Sequence, residues 1–265
     1  MKVSTRRRIG FGLVTFAVLA MSWGLSQQLP YVIVEPGPAF NVLGENKGVE
    51  VIAVEGGDVS GNPGSLDLLT IRVFGSPAHT PTFFELVEPF FSSDRSIVPL
   101  EFFYPVGVSA AETERRNLQD FEQSQAAAIA AAKTALPPEL ASGLNVKLNL
   151  ASVSGPSGGL MFTLGIIDKA TAGSLTGGKK IAGTGTISPN GKVGPIGGID
   201  FKMISAVRSG DRYFLAPKEN CDEVVGHIPA DLSVFAVRNI QDALDVLKVI
   251  SADGDITKLP VCSAK

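Results

Sequence analysis

The sequence predicts a fold of the mixed α and β class. Short apolar runs bounded by glycine and proline predict strands, and helical segments separate them along the chain. Hydrophobic residues make up 45% of the 265 residues and charged residues 18%, which is enough apolar material for a packed core. The length allows one large domain or a domain with an accessory segment.

Residues 1–29 predict a cytoplasmic basic start followed by a transmembrane signal anchor. Lys2 and the arginines at 6–8 precede an apolar run over residues 9–25, with Trp23 near its outer end. Because a positive flank stays in the cytoplasm, we expect a single-pass protein of the cell membrane with its remaining chain extracytoplasmic. A cleaved signal peptide and a buried core helix are the alternatives.

Residues 30–140 predict a β-rich segment that ends in a long helix. Its predicted strands cover 31–34, 49–54 and 66–73. The turn at Pro36-Gly37-Pro38 is expected to break the first strand, and the aromatic-rich stretch 76–105 is predicted to be irregular. A helix rich in Ala, Glu and Gln is predicted over 110–136, where prolines follow and stop it.

Residues 141–265 predict alternating strands and helices around a tight turn at 155–159. The predicted strands cover 145–150, 181–187 and 213–216, and the predicted helices cover 160–168, 201–209 and a last helix from Asn239. Asn239 is a favourable N-cap, and apolar residues follow it on one helical face.

Charge and motif content argue against several classes of ligand. The chain has 23 Lys and Arg against 26 Asp and Glu, and no basic patch beyond the N-terminus, so no nucleic-acid partner is expected. The phosphate-loop motif fails around Gly191, so no nucleotide is expected. With two histidines and no C-x-x-C spacing, no metal or cofactor is expected. Cys221 and Cys262 can form a disulfide outside the cytoplasm or remain free thiols, and spacing does not decide between these.

Ser157 lies in the motif S-G-P-S-G-G between a predicted strand and an apolar helix. Flanking glycines allow close backbone approach and positive φ, and a serine there is presented where backbone N–H groups are free to stabilise an oxyanion. An ordinary glycine-rich turn is the alternative interpretation. A serine nucleophile also needs a base, and His79 and His227 both lie in loops.

Lys202 is the alternative base, near the start of a helix with an apolar face. Burial disfavours the ammonium form and lowers the pKa of a lysine. A decrease from about 10.4 to about 7 costs about 4–5 kcal/mol and therefore needs a dry pocket. A lysine adjusted in this way can take a proton from serine at neutral pH. A lysine whose stem covers apolar surface while its head reaches water is the alternative.

Taken together, the segments SGPSGGLMF, IAGTGTI and GKVGPIGGIDFK resemble the proteolytic domain of Lon-type peptidases in order and spacing. The helix FEQSQAAAIAAA resembles the helix that precedes the catalytic strand in that family. The resemblance covers about residues 145–250, and extends less strongly from about residue 66. The chain as a whole looks closer to bacterial membrane-anchored Lon-like proteins, which have no ATPase module.

This resemblance implies an α+β fold, a mixed sheet with packed helices like the Lon proteolytic domain, preceded by the transmembrane helix. It implies that Ser157 is the nucleophile and Lys202 the base, and that the Thr184 hydroxyl orients one of them. Supporting positions are Gly155, Pro156 and Gly158. It also implies protein or peptide substrates and a homo-oligomeric ring.

The sequence departs from the family pattern in three places. Ser154 stands where many Lon proteins have an acidic residue, and G-P-S-G-G stands where G-P-S-A-G is usual. The anchored relatives usually carry a PDZ domain after the long helix, but PPELASGL leaves no room for one here.

The sequence thus predicts a membrane-anchored, ATP-independent serine endopeptidase with a Ser–Lys dyad, acting outside the cytoplasm. A non-catalytic membrane-tethered scaffold on the same fold is the alternative. A third hypothesis is a chain that mainly cuts its own segment at 76–105.

Overall fold

The computed structural model describes residues 5–55, 64–150, 153–171 and 174–263. Contacts divide the chain into two compact units, Met1–Glu35 with Arg72–Thr113 and Pro36–Ile71 with Glu114–Lys265. This grouping differs from the predicted segments 30–140 and 141–265. The reason is that most of the long helix packs into the same core as the C-terminal half, so the order along the chain is not the order in space.

The strands and helices are bounded as follows. The strands are β1 Tyr31–Asn41, β2 Glu45–Asn46, β3 Val49–Glu50, β4 Ile52–Val54, β5 Ser65–Phe74, β6 Ser96–Pro99, β7 Val146–Leu148, β8 Lys180–Gly183, β9 Thr186–Ile187, β10 Val193–Gly194, β11 Tyr213–Pro217 and β12 Ser233–Val237. The helices are α1 Thr5–Leu25, α2 Phe83–Phe90, α3 Ala110–Ala135, α4 Pro138–Ala141, α5 Gly159–Ala170, α6 Ile199–Ser209, α7 Cys221–Val224 and α8 Ile240–Ser251.

A parallel sheet is the framework of the larger unit. Strand β8 lies between β5 and β11, and β12 follows β11, all in parallel register. Strand β12 was not predicted from the sequence. The carboxyl ends of parallel strands share one edge of a sheet, so the residue after β8, Thr184, is placed at that edge.

Helix α5 runs through the centre of the larger unit. Every residue from Gly159 to Asp168 is buried, which explains why this helix is apolar all round. Helix α3 packs against it, and the rings of Phe121 and Phe162 meet edge to face at 6.0 Å. The helix predicted over 110–136 is confirmed, with its small buried residues allowing α3 and α5 to approach closely.

Strand β1 continues through the Pro-Gly-Pro sequence that was predicted to break it. At Gly37 an added Cβ atom would lie 2.4 Å from the hydroxyl oxygen of Thr70, so only glycine permits this approach of β1 to β5. The Thr70 hydroxyl also donates to the carbonyl of Pro38 at 2.8 Å. The Pro-Gly-Pro sequence therefore indicates a close approach of two strands and not the end of a strand.

In the smaller unit, the stretch 76–105 is more regular than predicted. It contains α2 and the strand β6, which pairs antiparallel with the first residues of β1. The Glu85 carboxylate accepts hydrogen bonds at 2.8 Å from both the N–H and the hydroxyl of Thr82, which fixes the start of α2. Paired phenylalanines hid this amphipathic helix in the sequence.

The predicted apolar run at the N-terminus is helical and lies in α1. Among the residues that the structure describes, we find no helix that combines the length and the apolar character needed to cross a membrane. The predicted transmembrane helix is therefore not supported by the structure.

The C-terminal tail is fastened to the larger unit. A disulfide joins Cys221 at the start of α7 to Cys262, which decides between the two alternatives left open by the sequence. The Ala236 N–H of β12 also donates to the carbonyl of Pro260 at 2.8 Å. As predicted, Asn239 caps α8, its side-chain oxygen accepting from the Asp242 N–H at 2.8 Å.

Candidate active site

Ser157 lies in a single 3₁₀ turn, Pro156–Gly158, that leads directly into α5. Gly155 before it has φ of 84°, the conformation for which the flanking glycine was predicted. The Gly155 N–H donates to the carbonyl of Asn117 in α3 at 2.9 Å. Ser157 itself is half-buried, so its hydroxyl sits at the border between core and solvent.

The strand predicted over 181–187 is interrupted at Thr184 and Gly185, and this interruption forms the wall opposite Ser157. The Gly185 N–H donates to the Ser157 carbonyl at 2.9 Å, and the Thr184 hydroxyl donates to the same carbonyl at 3.2 Å. The Thr184 N–H still donates to the Leu215 carbonyl of β11 at 3.1 Å, but the next N–H, that of Gly185, turns to Ser157. Strand β8 therefore ends at Gly183, and β9 begins at Thr186.

Lys202 projects from the first turn of α6 into the same place. Its Nζ lies 2.8 Å from the Ser157 Oγ and 3.0 Å from the Thr184 Oγ1. These three side chains are separated by 18 to 45 positions along the sequence and are brought together by the fold. The structure therefore assembles the predicted nucleophile, base and orienting hydroxyl in one cluster.

Burial controls the electrostatics of this cluster. Lys202 is 2% exposed and Thr184 is 1% exposed. Burial lowers the pKa of Lys202 from 10.5 to about 7, since a desolvated ammonium is disfavoured. No ion pair to Lys202 is found within the part of the chain that the structure describes, so no carboxylate there opposes this shift.

The hydrogen-bond network fixes which way the protons point. Thr184 uses its hydroxyl proton on the Ser157 carbonyl, so its oxygen can only accept from the Lys202 amine. A neutral amine then has its lone pair free to accept the proton of the Ser157 hydroxyl. The arrangement is suited to removing a proton from Ser157.

Two contacts behind Ser157 were not predicted from the sequence. They are the bond from Gly155 to Asn117, and a bond from the Ser124 hydroxyl to the carbonyl of Pro156 at 3.0 Å. The Asn117 contact uses only backbone atoms and leaves no sequence signal. Ser124 does leave one, because it is a polar residue at helical spacing from Phe121 and Ala128 on a buried face.

The remaining residues that the sequence singled out or rejected differ in burial. Gly158 is buried, and a Cβ there would approach the Leu68 side chain to 2.5 Å, so the glycine leaves room for Leu68. His79 and His227 are both exposed. Among the described residues, no group of three or more His, Cys, Asp or Glu side chains is placed to hold a metal ion.

Part of the chain is similar in sequence to a known protease domain. Residues 150–250 match the Lon protease (S16) C-terminal proteolytic domain. The matched Lon-type segment contains Ser157, Thr184 and Lys202, and the resemblance predicted from the sequence is confirmed over this range.

Individual Lon proteases show the same similarity. The Lon protease of Geobacter metallireducens is 34% identical over 95 residues, which is 35% of this chain and 11% of that protease. The Lon protease of Mycoplasma pneumoniae is 43% identical over 94 residues, 33% of this chain and 11% of that protease. Lon protease 2 of Herpetosiphon aurantiacus is 31% identical over 117 residues, which is 40% of this chain and 14% of that protease. The chain thus spans roughly a tenth of the length of these relatives.

Proposed function

We propose that this protein is a serine-type peptidase in which Ser157 is the nucleophile and Lys202 is the general base. The observation that carries the proposal is the 2.8 Å distance between Lys202 Nζ and Ser157 Oγ, at a lysine buried enough to be neutral near pH 7. The match of residues 150–250 to the Lon proteolytic domain supports the same function.

The hydrogen bonds among Ser157, Thr184 and Lys202 suggest the order of the proton transfers in the reaction. Lys202 takes the proton of the Ser157 hydroxyl while the serine oxygen bonds to the carbonyl carbon of a peptide. The carbonyl oxygen becomes an oxyanion held by backbone N–H groups beside Ser157. The ammonium of Lys202 then protonates the leaving amine, and the peptide C–N bond breaks to give an acyl-enzyme. Water, deprotonated by Lys202, then attacks the ester carbon. The bond from that carbon to the Ser157 oxygen breaks, the serine oxygen takes the proton back from Lys202, and the acid is released.

Substrate and energy source belong to the same proposal. Protein or peptide chains are the expected substrates, cut without ATP, in keeping with the absence of a phosphate-loop motif in the sequence. Assembly into a homo-oligomeric ring is proposed from the resemblance to Lon-type peptidases alone. Sedimentation of the purified chain tests it.

We further propose that the peptidase works outside the cytoplasm, attached to the membrane through its N-terminal segment. The Cys221–Cys262 disulfide supports an oxidising compartment for the peptidase domain. The basic residues before the apolar run support a cytoplasmic start to the chain. Cell fractionation with alkaline extraction tests attachment. Thiol alkylation before and after reduction tests compartment, since reduced cysteines in cells would contradict the proposal.

The central test is cleavage of unstructured peptides by the full chain in detergent, without ATP. Wild type is compared with Ser157→Ala and Lys202→Met, which each remove one group of the dyad. Ser142→Ala and Lys133→Met, at exposed positions, are the matched controls. We expect cleavage by wild type and both controls only.

Two other results would redirect the assignment. Cleavage by all five proteins would place the nucleophile elsewhere. No cleavage by any assembled form would favour the non-catalytic scaffold. Self-processing would appear as a change in the mass of the chain that is lost in Ser157→Ala.

A further inference from the structure

Ser124 is a polar residue on the otherwise apolar buried face of α3. It lies at helical spacing from Phe121 and Ala128 and is only 6% exposed. Its hydroxyl donates to the carbonyl oxygen of Pro156 at 3.0 Å. This buried hydroxyl is therefore directed at the backbone immediately before the proposed nucleophile.

The geometry of a peptide group gives this bond a consequence for Ser157. The carbonyl of Pro156 and the N–H of Ser157 belong to the same trans peptide group, so they point in opposite directions. A bond that holds the carbonyl towards α3 therefore holds the Ser157 N–H away from α3. The next carbonyl, of Ser157 itself, is held from the other side by Gly185 at 2.9 Å and Thr184 at 3.2 Å. The peptide groups on both sides of Ser157 are thus fixed.

We propose that Ser124 is a positioning residue that aims the Ser157 N–H at the oxyanion, an inference that rests on the peptidase function proposed above. Ser124 touches neither substrate nor the reacting atoms and acts through the Pro156–Ser157 peptide group. A pre-aimed donor is effective because it needs no reorganisation when charge develops on the carbonyl oxygen. Helix α3 thereby becomes part of the reaction machinery, although it contributes no reacting group.

The test compares Ser124→Ala with a matched control, Thr163→Val. Thr163 is also buried between α3 and α5, and its hydroxyl donates to the carbonyls of Gly159 and, at 3.5 Å, Ala128. Both variants remove one buried hydroxyl from the same helix interface, but only Ser124→Ala removes a bond to the Pro156 carbonyl. That carbonyl then keeps the bond from the Gly159 N–H that closes the 3₁₀ turn. Peptide cleavage by the full chain gives kcat and KM for each, and melting temperature reports the shared structural cost.

We expect Ser124→Ala to lower kcat about 10-fold or more with KM within about twofold, as for a weakened oxyanion donor. The pH midpoint of activity should not move, since Lys202 is untouched. Thr163→Val should keep its kcat within about twofold while losing a similar amount of thermal stability. Ser124→Cys, a similar size with a weaker donor, should be intermediate and replaces the alanine variant if that protein does not fold.

Three results would overturn the inference. If wild type is active and the kcat of Ser124→Ala is unchanged, Ser124 does not position the Ser157 N–H, and the proposed peptidase function is unaffected. Equal losses of kcat in Ser124→Ala and Thr163→Val would show that helix packing is responsible. A wild type that cleaves nothing, with the dyad variants equally inert, would remove the proposed function and this inference together.

Discussion

The hydroxyl of Thr184 lies 3.2 Å from the carbonyl oxygen of Ser157 and donates its proton to it. The same hydroxyl oxygen lies 3.0 Å from the Nζ of Lys202. One side chain therefore holds the backbone of the proposed nucleophile and determines which way the proposed base presents its lone pair.

Replacing Thr184 with valine should remove its hydrogen bonds to the Ser157 carbonyl and the Lys202 amine without changing the shape of the side chain. We expect kcat to fall about 10- to 100-fold, as is typical when a group supporting acid–base catalysis is lost. Thr184→Ser keeps the hydroxyl and should retain activity within several-fold. Peptide cleavage by the three proteins measures both effects. Equal activity of the valine and serine variants would show that the hydroxyl has no role.

The pKa of Lys202 predicts how activity depends on pH. The reaction needs the neutral amine, and burial lowers the pKa of Lys202 from 10.5 to about 7. Activity should therefore rise with pH up to about 7 and then level off, because the amine is already deprotonated above that value. The measurement is kcat/KM between pH 5 and pH 9. A rise that continues towards pH 10 would mean that Lys202 is solvated in the working enzyme.

The candidate site could be predicted from the sequence mainly through the resemblance of its glycine-bounded motifs to Lon-type peptidases, because each motif alone also fits an ordinary turn or helix. Ser157 and Lys202 could be named as a pair, but their distance could not, since it depends on how α5, α6 and the end of β8 pack. The burial that lowers the pKa of Lys202 is likewise a property of the whole core, although the apolar neighbours of Lys202 in α6 hinted at it.

The parts of the fold that were missed share a physical reason. At Gly37 the same residues that favour a turn also permit two strands to come into close contact, and only the neighbour Thr70 decides which occurs. The strand predicted over 181–187 was interrupted because Gly185 bonds to Ser157 and not to a strand. The strand or turn propensity of a short segment does not show which residues, distant in sequence, it will contact in the fold.

Removing the disulfide should destabilise the larger unit. The Cys221–Cys262 bond closes a loop of 41 residues, for which chain entropy predicts about 4 kcal/mol of stability, offset by any native strain. Cys262→Ser should lower the free energy of unfolding by up to that amount, measured in denaturant without reductant. Adding reductant should bring wild type to the same value while leaving the variant unchanged. Equal stability of wild type with and without reductant would contradict the bond.

Two buried carboxyl groups, Asp67 and Asp211, lie together in the larger unit. Asp67 is on β5, Asp211 precedes β11, and they are 7% and 3% exposed. Burial and the charge of Asp67 raise the pKa of Asp211 from 3.8 to about 8. The pKa of Asp67 is also raised by burial. The folded chain therefore keeps a proton on this pair near neutral pH.

This pair should make stability depend on pH in a defined direction. A carboxyl group whose folded pKa is raised stabilises the fold fully below its unfolded pKa, near 3.8, and that contribution is lost as pH rises through about 8. We expect the free energy of unfolding to fall by about 2–4 kcal/mol between pH 5 and pH 9.

Asp211→Asn mimics the protonated group and should remove most of this decrease, so that the variant is the more stable protein at pH 9. Asp245→Asn, at an exposed carboxylate on α8, should keep the wild-type dependence. Denaturant unfolding at both pH values measures this, and parallel curves for wild type and Asp211→Asn would show that the pair does not retain its proton.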